Sequence, residues 1–302
     1  YTVEEARAVA EAATRYKRVL QVGSQGVSDP RNRVARQLIE QGEIGELLWA
    51  TATASRNSIG GEWNYRIEPE GTPETIDWKR WLGSAPKRPF SAERYFRWRK
   101  YWDYSGGIAT DLFYHSLGPV LYAMGPQFPI AVTGSGGIYV QKDREVPDTY
   151  ASIIEYPNFY INLSGSMANA AGNRHFPRVI YGHKGTLTYE GNKVLVVPEL
   201  LEARRGATRA DPLKAAKAYP AEADTGTNVH RRHTDNFFAC VRSRQRPNLH
   251  AEFGYQIMVA IALGVASYRE GRVKFFDPKT QRVVDRPVRR PAYEGTGKNV
   301  EA

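Results

Sequence analysis

Six short stretches rich in β-branched and aromatic residues follow one another between positions 130 and 197. Such residues favour strands, and the Tyr156-Pro157-Asn158 and Gly182-His183-Lys184-Gly185 sequences between them favour turns. Strands joined by short connections usually pair with their neighbours, so this region predicts the body of one large sheet. The predicted strands are 130–140, 149–155, 160–166, 178–181, 186–189 and 193–197.

Helices are predicted on both sides of this region. Apolar residues at helical spacing occupy 106–124, 229–243 and 252–270, and further strands are predicted at 47–55 and 273–276. The stretch 56–104 is long and irregular, which is typical of a loop that covers a site. The polar, alanine-rich stretch 202–224 is interpreted as an excursion from the sheet. The chain is therefore predicted to be an α/β protein with a large mixed sheet.

The first 45 residues follow a different pattern. A helix over 2–16 is followed by an apolar strand at 19–22, and a second helix begins at Asp29-Pro30 and ends at Gly42. Helix, buried strand, loop and helix in this order are typical of the last portion of a doubly wound domain. A length of 302 residues is compatible with roughly two domains or with one large sheet domain. The change of pattern favours two, which we place at 1–45 and 46–302.

Charge and composition argue against several classes of function. Lys and Arg outnumber Asp and Glu by 42 to 32, and a net charge of +10 would attract nucleic acid or an anionic ligand. The basic residues are spread along the chain without a nucleic-acid-binding motif, so no nucleic-acid partner is predicted. No apolar run reaches the roughly 20 residues that span a bilayer, so no membrane partner is predicted. The single cysteine, Cys240, excludes an internal disulfide and is expected to be a buried thiol.

Several segments carry a resemblance to a known family. Gly106-Gly107 is followed by Asp111-Leu112-Phe113-Tyr114-His115, which gives a glycine pair and then Asp-x-x-x-His. Residues 39–45 precede the first strand of the second predicted domain, and Asn236-Phe237 is followed by Arg246-Pro247. Together with the segments 2–6 and 22–25, this order resembles the Gfo/Idh/MocA family of glucose–fructose oxidoreductases and inositol dehydrogenases. The resemblance covers essentially the whole chain.

The resemblance implies a fold and an activity. Members have an N-terminal Rossmann domain and a C-terminal α/β domain with a large, mostly antiparallel open sheet, whose open face mediates homodimer or homotetramer contacts. They transfer a hydride between NAD or NADP and a sugar, a cyclitol or a related polyol. The same scaffold supports NAD-dependent glycoside cleavage, which is one alternative for this chain. A second alternative is a non-catalytic binding or assembly module.

One feature of the family is absent from the sequence. No Gly-x-Gly-x-x-Gly follows a strand, and Gly134-Ser135-Gly136-Gly137 has the wrong spacing and lies among predicted strands. That motif lets backbone N–H groups reach the pyrophosphate of a dinucleotide at a helix N-terminus. The chain is therefore interpreted as N-terminally truncated, with residues 1–45 a remnant of the Rossmann domain, and is expected to bind the cofactor poorly. The residues present do not distinguish a cytoplasmic from an exported protein.

His115 and Asp111 are the candidate catalytic residues. They are four residues apart on a predicted helix and therefore share a face. An imidazole with a near-neutral pKa can take the proton of a sugar hydroxyl, and a nearby carboxylate can orient it. By the resemblance, His115 is the acid/base, and Asp111 is its partner or a substrate ligand. Gln25 is either a residue near the nicotinamide or an ordinary loop amide, and Arg56 is either a substrate ligand or an ordinary exposed residue.

Residues 94–104 interleave basic and aromatic side chains. Aromatic rings stack on sugar rings while charged groups bind hydroxyls, so Arg97, Trp98, Trp102 and Asp103 are candidate substrate ligands. The same composition is typical of single-stranded nucleic-acid binding. It is equally typical of a loop whose aromatic residues form a small core under the stems of its arginines.

No metal site is predicted. His230-Arg231-Arg232-His233 with Asp235 contains ligand-type residues, but helical metal pairs usually lie four residues apart, and two arginines would repel a cation. The cluster is interpreted as the start of a helix that lines the cleft.

Overall fold

The computed structural model describes residues 1–175, 178–199, 211–221 and 228–288. Within these ranges the α-helices are α1 (Val3–Arg15), α2 (Pro30–Glu40), α3 (Trp78–Leu82), α4 (Ala92–Phe96), α5 (Tyr114–Met124), α6 (Ala171–His175), α7 (Val229–Ser243) and α8 (Ala251–Glu270). The strands are β1 (Leu47–Thr53), β2 (Ala131–Gly137), β3 (Thr149–Glu155), β4 (Tyr160–Ser166), β5 (Val179–Gly182), β6 (Gly185–Glu190), β7 (Lys193–Pro198), β8 (Lys217–Pro220), β9 (Lys274–Asp277) and β10 (Arg282–Val284).

The ten described strands form one open sheet in the order β10-β9-β2-β3-β4-β1-β5-β6-β7-β8. Neighbouring strands run antiparallel except β1 and β4, which pair in parallel with Ala50 opposite Ile161. β1 therefore lies between β4 and β5, although it precedes both in the chain. The mixed α/β fold with a large, mostly antiparallel open sheet is confirmed.

The edge strand β8 lies inside the stretch that the sequence pattern interprets as an excursion. Residues 217–220 pair with β7 in antiparallel register, so the interpretation of 202–224 as an excursion is wrong for this part. The strand shows no apolar alternation, because its side chains are mostly exposed and its backbone pairing alone defines it. Of the stretch 202–224, only 211–221 belongs to the described residues. The last 14 residues of the chain also lie outside them.

One face of the sheet carries the core. Along β1 the side chains of Ala50 and Ala52 are buried, and Trp49, Thr51 and Thr53 point the other way and are half-buried. This alternation follows from the two-residue period of a strand. Helices α5 and α8 pack on the buried face, against β1 and against β2 and β3. The opposite face presents an aromatic row in which Trp49 stacks between Tyr160 and Tyr181.

The glycine-rich sequence of β2 allows α8 to approach the sheet closely. A Cβ on Gly134 would lie 2.3 Å from the carbonyl oxygen of Gly264 on α8. The Gly134 N–H donates to Ser267 Oγ at 2.9 Å, which fixes the helix on the strand. Gly134 therefore serves helix–sheet packing, whereas a Cβ on Gly136 would meet the backbone of Thr149 in β3.

α8 is long and apolar enough to cross a membrane by length and composition, but 61% of its most apolar stretch is buried inside the described protein. Such a helix is weak evidence for a span, because the core helix of a globular domain meets the same criteria. Phe253, Ile257 and Ile261 are among the residues that it buries. Its packing against α1, α5 and β2 accounts for that apolar face.

The first 45 residues pack against the remainder of the described chain. α1 begins at a capping box, in which Thr2 Oγ1 accepts from Glu5 N and Glu5 accepts from Thr2 N. α1 packs on α8, and α2 packs on α5. The strand predicted at 19–22 is wrong. Gln21 forms only an isolated bridge with His250, because none of the described strands lies beside this segment and pairs with it. The boundary placed between residues 45 and 46 stays a prediction.

The stretch 56–104 contains two short helices, α3 and α4, and a 3₁₀ turn at Trp98–Lys100. Its aromatic residues contact one another. Trp78 stacks on Trp81 with ring centres 4.8 Å apart, and Trp81 also contacts Tyr95 and Tyr104 at 5.4 and 4.7 Å. These contacts form a small aromatic cluster outside the main core, as the loop interpretation of this segment proposes.

Candidate active site

The Gly106-Gly107 pair precedes the helix that carries His115. Gly107 has a φ of +64°, and a Cβ there would lie 2.9 Å from the Cβ of Val146. Both the left-handed backbone and the close approach therefore require glycine. A single π-helical turn, Ala109–Phe113, connects the glycines to α5. Such turns occur frequently at functional sites.

Asp111 lies in the π-helical turn and forms an ion pair with Arg99. Arg99 Nε donates to Asp111 Oδ1 at 3.0 Å, and the two side chains are 29% and 21% exposed. The guanidinium carbon of Arg99 lies 4.3 Å from the centre of the Trp98 ring. Asp111 thus acts on the imidazole of His115 through space, while its hydrogen bond goes to Arg99.

His115 lies in the first turn of α5, and its imidazole contacts the segment that precedes α2. Its Nδ1 lies 3.1 Å from Ser24 Oγ. Ser24 is 2% exposed, whereas His115 is exposed at the surface. The Nε2 atom of His115 makes no hydrogen bond to any described residue. A buried hydroxyl therefore holds one ring nitrogen and leaves the other available to a ligand.

The surroundings of His115 favour its neutral form. Burial of the ring against its neighbours lowers the pKa, the Asp111 carboxylate raises it, and the Arg56 guanidinium lowers it again. The net direction is below the ordinary histidine value. At neutral pH the imidazole is therefore predominantly uncharged, which is the state that accepts a proton.

Arg56 follows the end of β1 and faces solvent. Its N–H donates to the carbonyl of Ser166 at 2.8 Å, which extends the β1–β4 pairing by one bond. Ser116 Oγ donates to the carbonyl of Thr53 at 3.1 Å and joins this strand end to α5. The Arg56 guanidinium forms no ion pair with a described residue. The charges of Arg56 and Asp111 both act on the His115 imidazole.

Gln25 begins a 3₁₀ turn, Gln25–Ser28, directly after Ser24. It is half-buried, and its side chain makes no hydrogen bond within the described chain. The turn lies close against α5, since a Cβ on Gly26 would be 3.1 Å from Pro119 Cγ. Gln25 is therefore adjacent in sequence to the residue that contacts His115, and its place near a nicotinamide stays a prediction.

The four predicted ligands of the aromatic loop are placed differently. Arg97 pairs with Glu93 at 2.8 Å, and Asp103 accepts from Arg88 and Arg94 at 2.8 and 3.1 Å. Trp102 lies under Arg269 of α8, 5.1 Å from its guanidinium carbon. Among the four, Trp98 is the one linked to the His115 region, through Arg99. Direct substrate contact by Arg97, Trp102 and Asp103 stays a prediction, and each has a partner within the protein.

A buried lysine fixes the loop that carries Arg99. Lys100 Nζ is 1% exposed and lies 2.7 Å from Glu93, 2.8 Å from Asn64 and 3.0 Å from Asp143. Burial by itself would raise the pKa of Asp143, but hydrogen bonds from Asn64 and Lys100 lower it to about 2. The charge of Lys100 is thus compensated, and the backbone of its neighbour Arg99 is held in place.

His233 ties α7 to the segment that presents Ser24. Its Nε2 lies 2.8 Å from the carbonyl of Val22, so this nitrogen carries the hydrogen. Nδ1 then accepts from Ser28 Oγ at 2.8 Å, and Ser28 Oγ accepts from Asn248 Nδ2 at 3.0 Å. His233 is buried and fully used by these bonds. Both ring nitrogens of His233 bind the 22–28 segment, and a place for the 230–233 cluster along the cleft stays a prediction.

The described residues hold no group of three or more metal-binding side chains. His230, His233 and Asp235 form no such group, because Asp235 pairs with Arg231 at 2.9 Å on the exposed side of α7.

In α1, α2, α7 and α8, side chains already cap the helix N-termini where the pyrophosphate of a dinucleotide would bind. Asp29 caps α2 and accepts from Arg31 N, and a carboxylate at this end repels an anion. The starts of α1, α7 and α8 are likewise occupied by cap side chains, from Thr2, Asn228 and His250. No glycine turn after a strand leads into any of them.

An apolar groove of about 690 Å³ lies between α1, the 20–22 segment and α8. Val9, Leu20, Val22 and Met258 are among its lining residues, and His115 is not. The His115 region is open to solvent, so a substrate would approach it from the surface.

Sequence reasoning missed Ser24 and Arg99. Ser24 lies directly before Gln25, where the resemblance already places a cofactor-facing loop, and Arg99 lies in the basic run 94–100. Neither position carries a local pattern that identifies its partner, because both contacts depend on the tertiary fold.

Comparisons with known proteins agree with this architecture. The family model described as "Oxidoreductase family, C-terminal alpha/beta domain" matches residues 36–275. No curated protein sequence matches the chain.

Several solved structures share the fold at low sequence identity. Aldose-aldose oxidoreductase from Caulobacter crescentus, complexed with glycerol, superposes with a TM-score of 0.61 at 17% identity, over 91% of this chain and 69% of that one. An NAD binding oxidoreductase from Klebsiella pneumoniae gives 0.62 at 18%, over 90% and 70%. Levoglucosan dehydrogenase in complex with NADH and levoglucosan also gives 0.62 at 18%, over 90% and 70%. Because the family model spans most of the chain, this protein belongs to the Gfo/Idh/MocA oxidoreductase family.

Proposed function

We propose that this protein acts in the oxidation or reduction of a secondary alcohol on a sugar, cyclitol or related polyol, with His115 as the acid/base. The observation that carries the proposal is the exposed imidazole of His115, whose Nδ1 lies 3.1 Å from the buried Ser24 hydroxyl. The structural relatives crystallised with glycerol and with levoglucosan are consistent with a polyol-type ligand.

The proton chemistry follows from the two ring nitrogens. The neutral form that a lowered pKa favours has one nitrogen protonated and one free. If Nδ1–H donates to Ser24 Oγ, Nε2 carries the lone pair that removes the hydroxyl proton during oxidation. In the reverse direction Nε2–H returns the proton to the carbonyl oxygen. Ser24 Oγ accepts throughout, and Asp111 stabilises the imidazolium that forms.

The expected cofactor is NAD or NADP, which when bound takes or supplies the hydride. The N-termini of α1, α2, α7 and α8 are capped by side chains, and the sequence contains no dinucleotide glycine motif. We therefore expect these 302 residues alone to bind NADH poorly, since the glycine motif that receives the pyrophosphate is absent from the sequence. Isothermal titration calorimetry with NADH measures this. Stoichiometric binding at micromolar concentration would contradict the expectation.

Replacement of His115 tests the function. His115→Ala removes the proton acceptor, and loss of a general acid/base reduces the turnover number by about a hundredfold to ten-thousandfold. His230→Ala, at an exposed position on α7, is the matched control. Formation of NADH would be followed with a panel of polyols and aldoses, using the protein as it is expressed from its gene.

The same assay separates the alternatives. Turnover that is unchanged by His115→Ala, or a biological role that persists without it, would favour a non-catalytic binding module. Release of the chromophore from a chromogenic glycoside, dependent on NAD, would indicate glycoside cleavage on the same site instead of simple dehydrogenation.

A further inference from the structure

Two arginines act on the His115 and Asp111 pair: Arg99 pairs with Asp111, and the charge of Arg56 acts on the His115 imidazole. Arg99 binds Asp111 through Nε at 3.0 Å, and no described residue hydrogen-bonds its terminal nitrogens. Arg56 is exposed at the end of β1, on the strand that Ser116 joins to α5. A neutral polyol requires neither charge. The presence of two guanidinium groups beside one acid/base is therefore unexplained by the proposed reaction alone.

The plane of the Arg99 guanidinium is fixed from two sides. Its Nε is held by Asp111, and its carbon lies 4.3 Å from the centre of the Trp98 ring. Lys100, the next residue, is 1% exposed and anchored in its buried ionic cluster. A guanidinium that is oriented in advance loses little entropy when a planar anion binds its remaining two donors.

The four ionisable side chains at the site have a net charge of one positive unit. Arg56 and Arg99 contribute two, Asp111 removes one, and His115 is neutral because its surroundings lower the pKa. A carboxylate carries one negative charge and presents two oxygens in a plane, which matches a guanidinium fork. A phosphate monoester carries about −1.5 to −2 at neutral pH and would exceed the charge available.

We propose that the substrate is a polyol that carries a carboxylate, such as an aldonic or uronic acid, and that Arg56 and Arg99 bind this carboxylate while His115 meets the reacting hydroxyl. The inference rests on the proposed function for the role of His115, but the binding of the acid does not depend on any reaction.

Calorimetry without cofactor tests the binding directly. The probes are D-gluconate, its neutral counterpart sorbitol, and D-glucose 6-phosphate. A charge-assisted pair of hydrogen bonds predicts that gluconate binds on the order of tenfold or more tighter than sorbitol, with an affinity that falls as salt is added. Equal affinity for gluconate and sorbitol, or no binding of gluconate, would overturn the proposal. A preference for the sugar phosphate would overturn the assignment to a carboxylate.

Variants assign the binding to the two arginines. Arg56→Gln and Arg99→Gln should each remove most of the preference for gluconate over sorbitol, and Arg99→Lys should restore only part of it, because lysine lacks the planar fork. Arg231→Gln, an exposed arginine that is also paired with an acid, is the control and should change nothing. Circular dichroism establishes that each variant is folded. Arg56 is exposed, so Arg56→Gln remains informative even if Arg99→Gln unfolds.

Asp111→Asn gives a test of the charge balance itself. It raises the net charge of the site by one, so the variant should shift its preference from gluconate towards D-glucose 6-phosphate. An unchanged preference would contradict the charge argument.

The two proposals fail separately. If gluconate binds through the arginines but the protein as it is expressed from its gene oxidises no sugar acid with NAD or NADP, the substrate inference stands and the proposed reaction fails. If neutral polyols are oxidised as efficiently as their acids in a reaction that requires His115, the reaction stands and the substrate inference fails.

Discussion

At the residue scale, the contact between Ser24 and His115 decides which nitrogen of the imidazole is available. With Nδ1 protonated, the serine hydroxyl accepts from Nδ1–H both in the neutral and in the protonated imidazole, so the contact persists while Nε2 gains and loses its proton. The 2% exposure of Ser24 also removes water as a competitor for Nδ1.

Ser24→Ala should therefore loosen the imidazole without removing it. We expect kcat/KM to fall about two- to tenfold, the range for one net hydrogen bond, because the favoured tautomer is no longer held. Nitrogen-15 NMR of the histidine ring would show a mixture of tautomers in the variant and one in the parent. Ser24→Thr, which keeps the hydroxyl, should preserve the single tautomer, and an unchanged spectrum in Ser24→Ala would contradict the role.

The pKa of His115 should respond in opposite directions to its two charged neighbours. Oxidation requires the neutral imidazole, so activity is lost as pH falls through the pKa of His115, which lies below the ordinary value. Arg56→Gln removes a positive charge that opposes protonation, and it should move this loss to higher pH. Asp111→Asn removes a negative charge that favours protonation, and it should move the loss to lower pH.

Proton NMR titration of the His115 ring measures the same shifts without turnover. Two variants that move the pKa in the same direction would contradict the arrangement of charges.

Part of the site could be predicted from the sequence, because some of its residues are close together along the chain and others are not. Asp111 and His115 are visible because four residues on a helix lie on one face. The contact from Ser24 to His115 spans 91 positions, and no local pattern encodes it. Asp111 and Arg99 are close enough in sequence to be paired in principle. Asp111 itself lies in a π-helical turn, whose geometry differs from the α-helical spacing on which the sequence prediction relies.

At the scale of elements, the turn that begins the His115 helix depends on a glycine. Gly107→Ala places a side chain in a left-handed conformation, which costs about 1–2 kcal/mol. Overlap with Val146 adds to this cost, because the new Cβ would lie 2.9 Å from the valine Cβ. We expect a loss of unfolding free energy in urea and a larger loss of activity, since the helix start that carries Asp111 must shift.

Gly60→Ala is the matched control for this variant. Nothing lies within 4 Å of a Cβ at Gly60, and the position is exposed. If both variants unfold at the same urea concentration as the parent, the conformational requirement at Gly107 is refuted.

At the scale of the whole molecule, the open face of the sheet is the surface for which we expect a partner. Trp49 stacks between Tyr181 and Tyr160 at 4.0 and 5.8 Å, and Ile153 on the same face is 47% exposed. Aromatic rows of this kind are enriched in interfaces between proteins. A second copy of the chain remains the predicted partner, in a homodimer or homotetramer.

Trp49→Arg should convert such an oligomer to monomers, because a charge in the centre of an apolar interface is not compensated. Light scattering after size-exclusion chromatography measures the mass. Tyr16→Arg is the control, since Tyr16 is 63% exposed at the end of α1, away from the sheet. A parent protein that is monomeric at micromolar concentration would contradict the expectation.

The sequence predicted which residues form strands better than it predicted the order of those strands in the sheet. The strands of the 130–197 region are visible because turns and apolar alternation bound them. The position of β1 between β4 and β5 is not, because strand order across a long connection leaves no local signal. β8 was missed for a related reason: an edge strand is defined by pairing to β7 and not by its own side chains.

The placement of β1 has a consequence for synthesis of the protein. Trp49 of β1 pairs with Tyr160 of β4, about a hundred residues further along the chain. The other neighbour of β1 is β5, which is synthesised later still. At about 5–20 residues per second, a ribosome needs several seconds or more to produce these partners. During that interval a strand destined for the middle of the sheet has both edges open. We expect nascent chains arrested between β1 and β4 to be sensitive to protease and bound by chaperones, and release of β5 to end that vulnerability.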